Sequence, residues 1–324
     1  MADVHDLVLT HGVDVARAGA RSAEERRLIE MAAAILASED ERMNVSHSGF
    51  AVTALPHRKP MDRAKANEVD VWRQSNGPTT LLARSGLEGD GQTPVGVPYG
   101  AYARHILVYL QTEAMRTKSR EVELGASMNR FLGSLGLAVG GKTYRQIKEQ
   151  SRRISACTLT FLYKDEHTDL RRNGAFVDTA LFMSEPNVRQ PQLWDDRVRL
   201  NEQFFNDLCR HAVPLRHDAL AQIANKSMAI DIYIWLAYRL HHVKHQTQLG
   251  WPAVYGQFGA GFATQRQFKP EFMKSLRAAL AVYPEARVET HQKTGLTLCP
   301  SPPPVRKRMV LLTGGKAEPR LAAG

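Results

Sequence analysis

The stretch from Trp235 to Pro300 restricts the order of structural elements more than any other part of the chain. An apolar helix is expected first, carried by Ile230, Ile232, Ile234, Trp235 and Leu236. A Gly-rich turn with a short aromatic segment follows, Trp251 to Gly261. Phe272, Leu276 and Leu280 then recur at i, i+4 and i+8, the spacing of one inward helix face. The run from Lys269 to Tyr283 therefore reads as a basic amphipathic helix, with Pro270 in its first turn, where a missing N–H costs nothing. Ala286 to Cys299 closes the unit as two short strands around Lys293-Thr294-Gly295. Helices followed by a β-hairpin are the chain order of a winged helix, and a similar order occurs from Tyr102 to Met183. The fold class expected is α+β: two winged-helix domains in tandem, each a helix-turn-helix plus a β-hairpin wing.

Finer signals divide the chain further. Residues 1–21 read as a flexible N-terminal segment, 22–186 as the first winged-helix domain, 187–305 as the second, and 306–324 as a flexible basic tail. Ser22 with Glu25 forms a capping-box pattern, and Leu28, Met31, Ala32, Ile35 and Leu36 follow at helical spacing. Phe50 to Leu55 looks like a strand closed by Pro56. Asn76-Gly77 between Val71–Arg73 and Thr79–Ala83 is a strong hairpin signal. Gly86 to Gly100 is a loop.

A helix is expected from Tyr102 to Met115 and a short strand at Glu121 to Leu124. Ser127 is placed as the cap of a helix over Met128 to Leu135, Gly136 to Gly141 as a turn, and Thr143 as the cap of a third helix ending near Ser155. Cys157–Tyr163 and Ala175–Met183, on either side of a charged loop at Lys164–Gly174, would be the first wing. A linker is expected at Glu185–Gln192 and an amphipathic segment at Val198–Cys209. Helices follow at Asp218–Ile223 and Met228–Val243, the longer one capped by Ser227.

Charge narrows the partners. Lys and Arg number 43 against 33 Asp and Glu, a formal net charge of +10. Such a surplus favours polyanions through phosphate neutralisation, although a basic enzyme has the same balance. Cys157, Cys209 and Cys299 are scattered without a C-x-x-C pair, as in reduced thiols. No apolar run approaches the ~18 residues of a membrane span, and the first residues lack a secretory pattern. A soluble cytoplasmic protein with no membrane partner is expected.

Two helices carry the basic residues in an ordered way. Arg145, Lys148 and Arg152 fall at i, i+3 and i+7, opposite Ile147 and Ile154. One basic face and one apolar face suit a recognition helix in the major groove; the plain alternative is a solvated helix face. In the second half, Lys269, Lys274 and Arg277 follow Arg266, and the hairpin offers Arg287, His291 and Lys293 at or near its tip. A wing touches phosphates or the minor groove, where the potential is negative. The candidate DNA-binding residues are Lys142, Thr143, Arg145, Lys148, Arg152, Arg153, Arg266, Lys269, Lys274, Arg277, Arg287 and Lys293.

Other chemistries are weaker. Gly136 to Thr143 matches the phosphate-loop pattern G-x-x-x-x-G-K-[ST] letter for letter. That loop needs a buried strand directly before it, and Met128–Leu135 reads better as a helix. The plainer reading is a glycine turn with Lys142 near a phosphate at a helix N-terminus. His241 and His245 sit at i, i+4, but no adjacent Glu or Cys pair completes a metal site. No His-apolar-His core of a DNA nickase is present. No catalytic residue, metal or cofactor is assigned.

Many spaced motifs agree, in order, with one family. They include Gly96-Val-Pro-Tyr-Gly-Ala-Tyr-Ala-Arg, Gln111-Thr-Glu-Ala, Glu123-Leu-Gly, Gly140-Gly-Lys-Thr with Glu149-Gln, and Ala180-Leu-Phe-Met-Ser-Glu. Ala212-Val-Pro-Leu-Arg, Ala229-Ile-Asp-Ile-Tyr-Ile-Trp-Leu-Ala-Tyr-Arg-Leu, Trp251 to Gly261, Phe268-Lys-Pro-Glu-Phe and Leu276-Arg-Ala-Ala-Leu continue the series. Over residues 24–305 the chain resembles the RepA-type plasmid replication initiators, relatives of the tandem winged-helix iteron-binding initiators. The resemblance implies binding of repeated origin sites as double-stranded DNA, local origin opening, and recruitment of host replication initiator and helicase proteins. It also implies a self-dimer, since related initiators switch between a repressing dimer and an initiating monomer. An operator-binding transcriptional repressor, or a phosphate-loop protein using Gly136–Thr143, are the alternatives.

Overall fold

The computed structural model describes residues 4–62, 67–123, 125–137, 140–164, 169–172, 176–181 and 197–305. Helices α1 (Val4–His11) and α2 (Val13–Ala18) lead into α3 (Ala23–Leu36). Ser22 caps α3 by accepting from the Glu25 N–H, and the Glu25 carboxylate takes the Arg21 N–H at 2.8 Å. The reading of 1–21 as flexible is corrected over residues 4–18. Val8 and Ala16 bury against Ile29 of α3, and His5 Nε2 lies 3.0 Å from the Ala281 carbonyl. Helices this short are marginal alone, so their order comes from docking, which local sequence does not display.

β1 (Met43–His47) runs into α4 (Ser48–Val52), followed by β2 (Met61–Asp62), β3 (Asn67–Glu68), β4 (Val71–Asn76) and β5 (Thr79–Arg84). The strand expected at Phe50–Leu55 is instead the last three residues of α4 followed by irregular backbone. His47 Nδ1 accepts from the Gly49 N–H, and α4 packs on a later helix. The hairpin is where Asn76-Gly77 put it: Asn76 stands opposite Thr79, with Gly77 at φ 54°.

The next elements are α5 (Gly100–Thr117), β6 (Glu121–Glu123), α6 (Gly125–Ser134), α7 (Gly141–Ala156), β7 (Thr158–Lys164), β8 (Asp169–Arg172), β9 (Val177–Leu181) and β10 (Arg197–Leu200). Ser127 lies inside α6 and Thr143 inside α7, whose N-cap is Gly140. The first wing is corrected. β7 pairs with β5 and with β8, which is drawn from the expected loop, giving the sheet β4-β5-β7-β8. β9 pairs instead with β10, which pairs with β6.

The chain continues through α8 (Glu202–His211), β11 (Ala212–Arg216), α9 (His217–Gln222), α10 (Ser227–Arg239), β12 (Thr247–Gly250), α11 (Trp251–Phe258), α12 (Gln265–Ala281), β13 (Val288–His291) and β14 (Gly295–Leu298). Asn201 caps α8 through the N–H groups of Gln203 and Phe204. Trp251–Gly261, expected as a turn, holds α11. The cap of α10 is Lys226 rather than Ser227. Pro270 lies inside α12, because Thr264 starts the helix one turn earlier by accepting from Gln267.

Two three-stranded sheets share one order, β6-β10-β9 and β12-β14-β13. In each, a short strand following a long helix pairs with the last strand of its half. The two halves nonetheless share one core, a buried cluster from Leu28 to Leu298. β1 pairs with β11, Asn44 opposite Leu215. Arg104 on α5 donates to Asp231 on α10 at 2.9 and 2.7 Å, and its other N–H groups go to the carbonyls of Leu55, Pro56 and Gly100. All five guanidinium donors are thereby satisfied in a buried position. The boundary expected at residue 187 lies outside the described residues, and the core on its two sides is continuous. No helix among the described residues is long and apolar enough to cross a membrane.

Candidate nucleic-acid interface

The first candidate surface is α7, packed on α5, against which α6 also lies. Met128, Leu132 and Leu135 anchor α6, and Ile147 and Ile154 anchor α7. Between the two helices Gly136 has φ 71°, its N–H bonds to the Gly133 carbonyl, and the Leu137 N–H bonds to that of Leu132. This is the glycine-closed end of a helix, in which two orphan carbonyls are satisfied by the residues after the cap. It accounts for Gly136 in the phosphate-loop pattern. The segment before it is a helix, so the strand such a loop needs is replaced by α6, and the phosphate-loop alternative loses its structural context.

Arg145, Lys148 and Arg152 are exposed along α7, as their spacing predicts. Arg152 reaches Glu88 at 2.8 Å and stays half exposed. Thr143 is partly buried in the first turn. Lys142 also falls in that turn, and its side chain is outside the described residues.

Arg153 is a correction. Its side chain is 4% exposed, pairs with Glu68 and with Glu149 at 2.9 Å, and donates to the Val97 carbonyl at 3.0 Å. The guanidinium also lies 5.0 Å from the Tyr99 ring centroid. Burial opposes its charge, but the Glu68 hydrogen bond and the charges of Glu68 and Glu149 outweigh that and raise its pKa above the usual arginine value. A cation held this way is structural and does not reach a phosphate. Gly96, at φ 85°, makes room for the pair, since a Cβ there would collide with both Arg153 and Glu68.

The second surface is α12. Phe268, Phe272 and Leu276 are fully buried, which leaves Arg266 and Lys274 exposed. Lys269 is half-buried, its ammonium 4.6 Å above the Trp251 ring. Arg277 reaches Glu24 of α3 at 2.9 Å, so the N-terminal helix takes up part of this face. Lys293 sits exposed in the hairpin turn. Arg287, expected near the tip, is at the hairpin base: its carbonyl accepts from Cys299 and its N–H donates to Ser301. It remains exposed.

Two exposed cations escaped the sequence reading. Arg197 and Arg199 face outward on β10, while Val198 and Leu200 face the core. Their strict alternation was the available signal. The expected linker at Glu185–Gln192 and the basic run Arg306-Lys307-Arg308 lie outside the described residues.

No curated protein matches the chain. Among solved structures it is similar to the crystal structure of selenomethionine derivatives of domains 2 and 3 of RctB, with a TM-score of 0.49 and 12% identity over 78% of this chain and 98% of that one. A second structure of RctB domains 2–3 gives 0.42 and 11%, over 78% of this chain and 94% of that one. A family model described as plasmid encoded RepA protein matches residues 97–251. Across that region, which holds α5 through β12, the chain is similar to the plasmid-encoded RepA proteins.

Proposed function

We propose that this protein is a plasmid replication initiator. It binds repeated sites in its origin as duplex DNA, opens the origin locally and brings host initiator and helicase proteins to it. The observation that carries the reading is an element order that occurs twice. α5, β6, α6, α7 and then β9-β10 form one series; α10, β12, α11, α12 and then β13-β14 form the other. In both, the short strand after the first helix pairs with the last strand. We read each series as a winged helix, two such modules on one core with β7 and β8 inserted in the first.

The third helix of each series turns cations outward over an apolar inner face: Arg145, Lys148 and Arg152 on α7, and Arg266 and Lys274 on α12. A helix of this kind enters the major groove, and the strands that follow reach phosphates. In this reading Arg197 and Arg199 in the first sheet and Lys293 in the second, all exposed, take that role. The excess of Lys and Arg over acids supports a polyanion partner. In this reading the chain supplies no catalytic group, works in the cytoplasm, and self-associates when it represses.

Mobility shift on the candidate origin repeats of its own replicon, at 150 mM salt with unrelated competitor, tests the proposal. A ladder with one step per repeat is expected, as is loss of origin-dependent plasmid maintenance with Arg145→Gln. Binding no tighter than to unrelated DNA overturns it. Tight binding to a plasmid that is maintained without the protein leaves a repressor instead.

A further inference from the structure

Adjoining the α12 face, the described residues hold a groove of about 560 Å³ between α3, the start of α10 and α12. Four cations line it: Arg27 from α3, Arg58 from the loop after α4, Lys226 at the cap of α10, and Lys274 from α12. Glu24 and Glu271 are the acids of the lining, and Glu24 is taken by Arg277. Among the described residues none of the four cations has an ion-pair partner within 4.0 Å. Lys226 is half-buried, and burial, then the charges of Arg27 and Lys274, push its pKa below the usual lysine value. Four cations against two acids, one of them held by Arg277, leave a net positive charge; like charges gathered this way destabilise one another, and an entering anion offsets that cost. Arginine forks and a lysine point charge together match the oxygens of a phosphate.

We infer that this groove is a phosphate-binding site, and that it holds the backbone of a duplex strand lying beside α12. Lys274 belongs both to the exposed face of α12 and to the groove, so one strand passing the helix reaches all four cations. Arg27, Arg58 and Lys226 thereby extend the interface from α12 to α3, to the loop after α4 and to the cap of α10. The site carries no base information, because phosphate contacts position a duplex without reading it. The assignment to DNA rests on the function proposed above; the assignment to phosphate does not.

The test uses the full chain with Arg27→Gln/Lys226→Gln, and reads three quantities. Without ligand, the variant melts at the same temperature as the parent or higher, because a repulsion has been removed; a merely structural pair of cations would give a lower one. Inorganic tripolyphosphate raises the melting temperature of the parent and not of the variant. Duplex affinity falls by the same factor on origin repeats and on unrelated DNA, and the slope of log affinity against log salt falls by roughly one for each phosphate no longer neutralised. Loss of the tripolyphosphate response with duplex affinity intact overturns the DNA assignment and leaves a small-anion site. An unchanged response in both overturns the site itself. A parent protein that fails on origin repeats but responds to tripolyphosphate overturns the initiator reading and keeps the groove.

Discussion

Replacing Arg153 with Gln tests whether the geometry, rather than the count of basic residues, decides which cations of α7 are available to the duplex proposed for it. The side chain is 4% exposed and its loss strands two acids, Glu68 and Glu149. Breaking a buried ion pair costs about 3–5 kcal/mol, because the surviving charge is left uncompensated. Glu68 keeps Lys59 at 3.1 Å, and Glu149 keeps the Tyr99 hydroxyl at 3.3 Å. Those partners place the cost near the lower end, ~3 kcal/mol. At about 2.1 cal/mol/K per residue, the unfolding entropy of 324 residues is roughly 0.7 kcal/mol/K, so Tm should fall by about 4–5 °C. Arg145→Gln, on the exposed face of the same helix, should move Tm by less than about 1 °C. It should weaken specific duplex binding roughly 5- to 150-fold. Thermal unfolding followed by circular dichroism, paired with duplex titration, reads both quantities. If Arg153→Gln leaves Tm unchanged and weakens binding as Arg145→Gln does, the assignment of Arg153 to the core is wrong.

Three further outcomes follow from the same structure. His105 is fully buried, with Nε2–H donating to the Ala224 carbonyl, and burial lowers its pKa from 6.5 to about 4; burial also lowers those of His57 and His217. The neutral forms are favoured by folding, so stability is full above about pH 6.5 and is lost as pH falls from there toward 4, with His105 contributing about 3 kcal/mol; a parent and a His105→Gln variant with the same slope of stability against pH over that range would contradict this. Arg104→Met alone should cost about 3–5 kcal/mol by stranding Asp231, and Arg104→Met/Asp231→Leu should recover most of it; additive costs in urea unfolding would mean that the pair does not couple the two halves. Gly295→Ala, at φ 132° with a Cβ directed at the Leu249 backbone, should open the β12–β14 pairing; hydrogen exchange at Leu249 as slow as in the parent would rule that out.

Long helices with a clear period were legible in the sequence. α5, α7, α10 and α12 were expected within a few residues of where they lie, because their buried positions repeat at helical spacing. Asn76-Gly77 was legible for a different reason, since few backbones other than a tight hairpin use that pair. What was not legible depends on contacts far along the chain. β1 finds its partner in β11, and β7 finds its first partner in β5, so the pairing expected with β9 was wrong. α4 and α11 are short helices that local propensity reads as strand or turn, and they fold because the core receives them. On α7, the outward positions of Arg145 and Lys148 were legible from spacing. Arg153 was not, because the acid that buries it, Glu68, is 85 residues away. Arg27, Arg58 and Lys226 come from three separated segments that only the packing of α3, α10 and α12 assembles.

The central claim is that this chain reads DNA rather than merely adhering to it. The most direct measurement is a titration of the full chain on duplex carrying its replicon's repeats and on a scrambled duplex of equal length, from 50 to 200 mM salt. The account predicts that affinity for both falls steeply with salt, as contacts to phosphate require. It also predicts that the repeat duplex stays tighter by a factor on the order of 10³ or more at physiological salt. Equal affinities for the two duplexes at every salt concentration would contradict it.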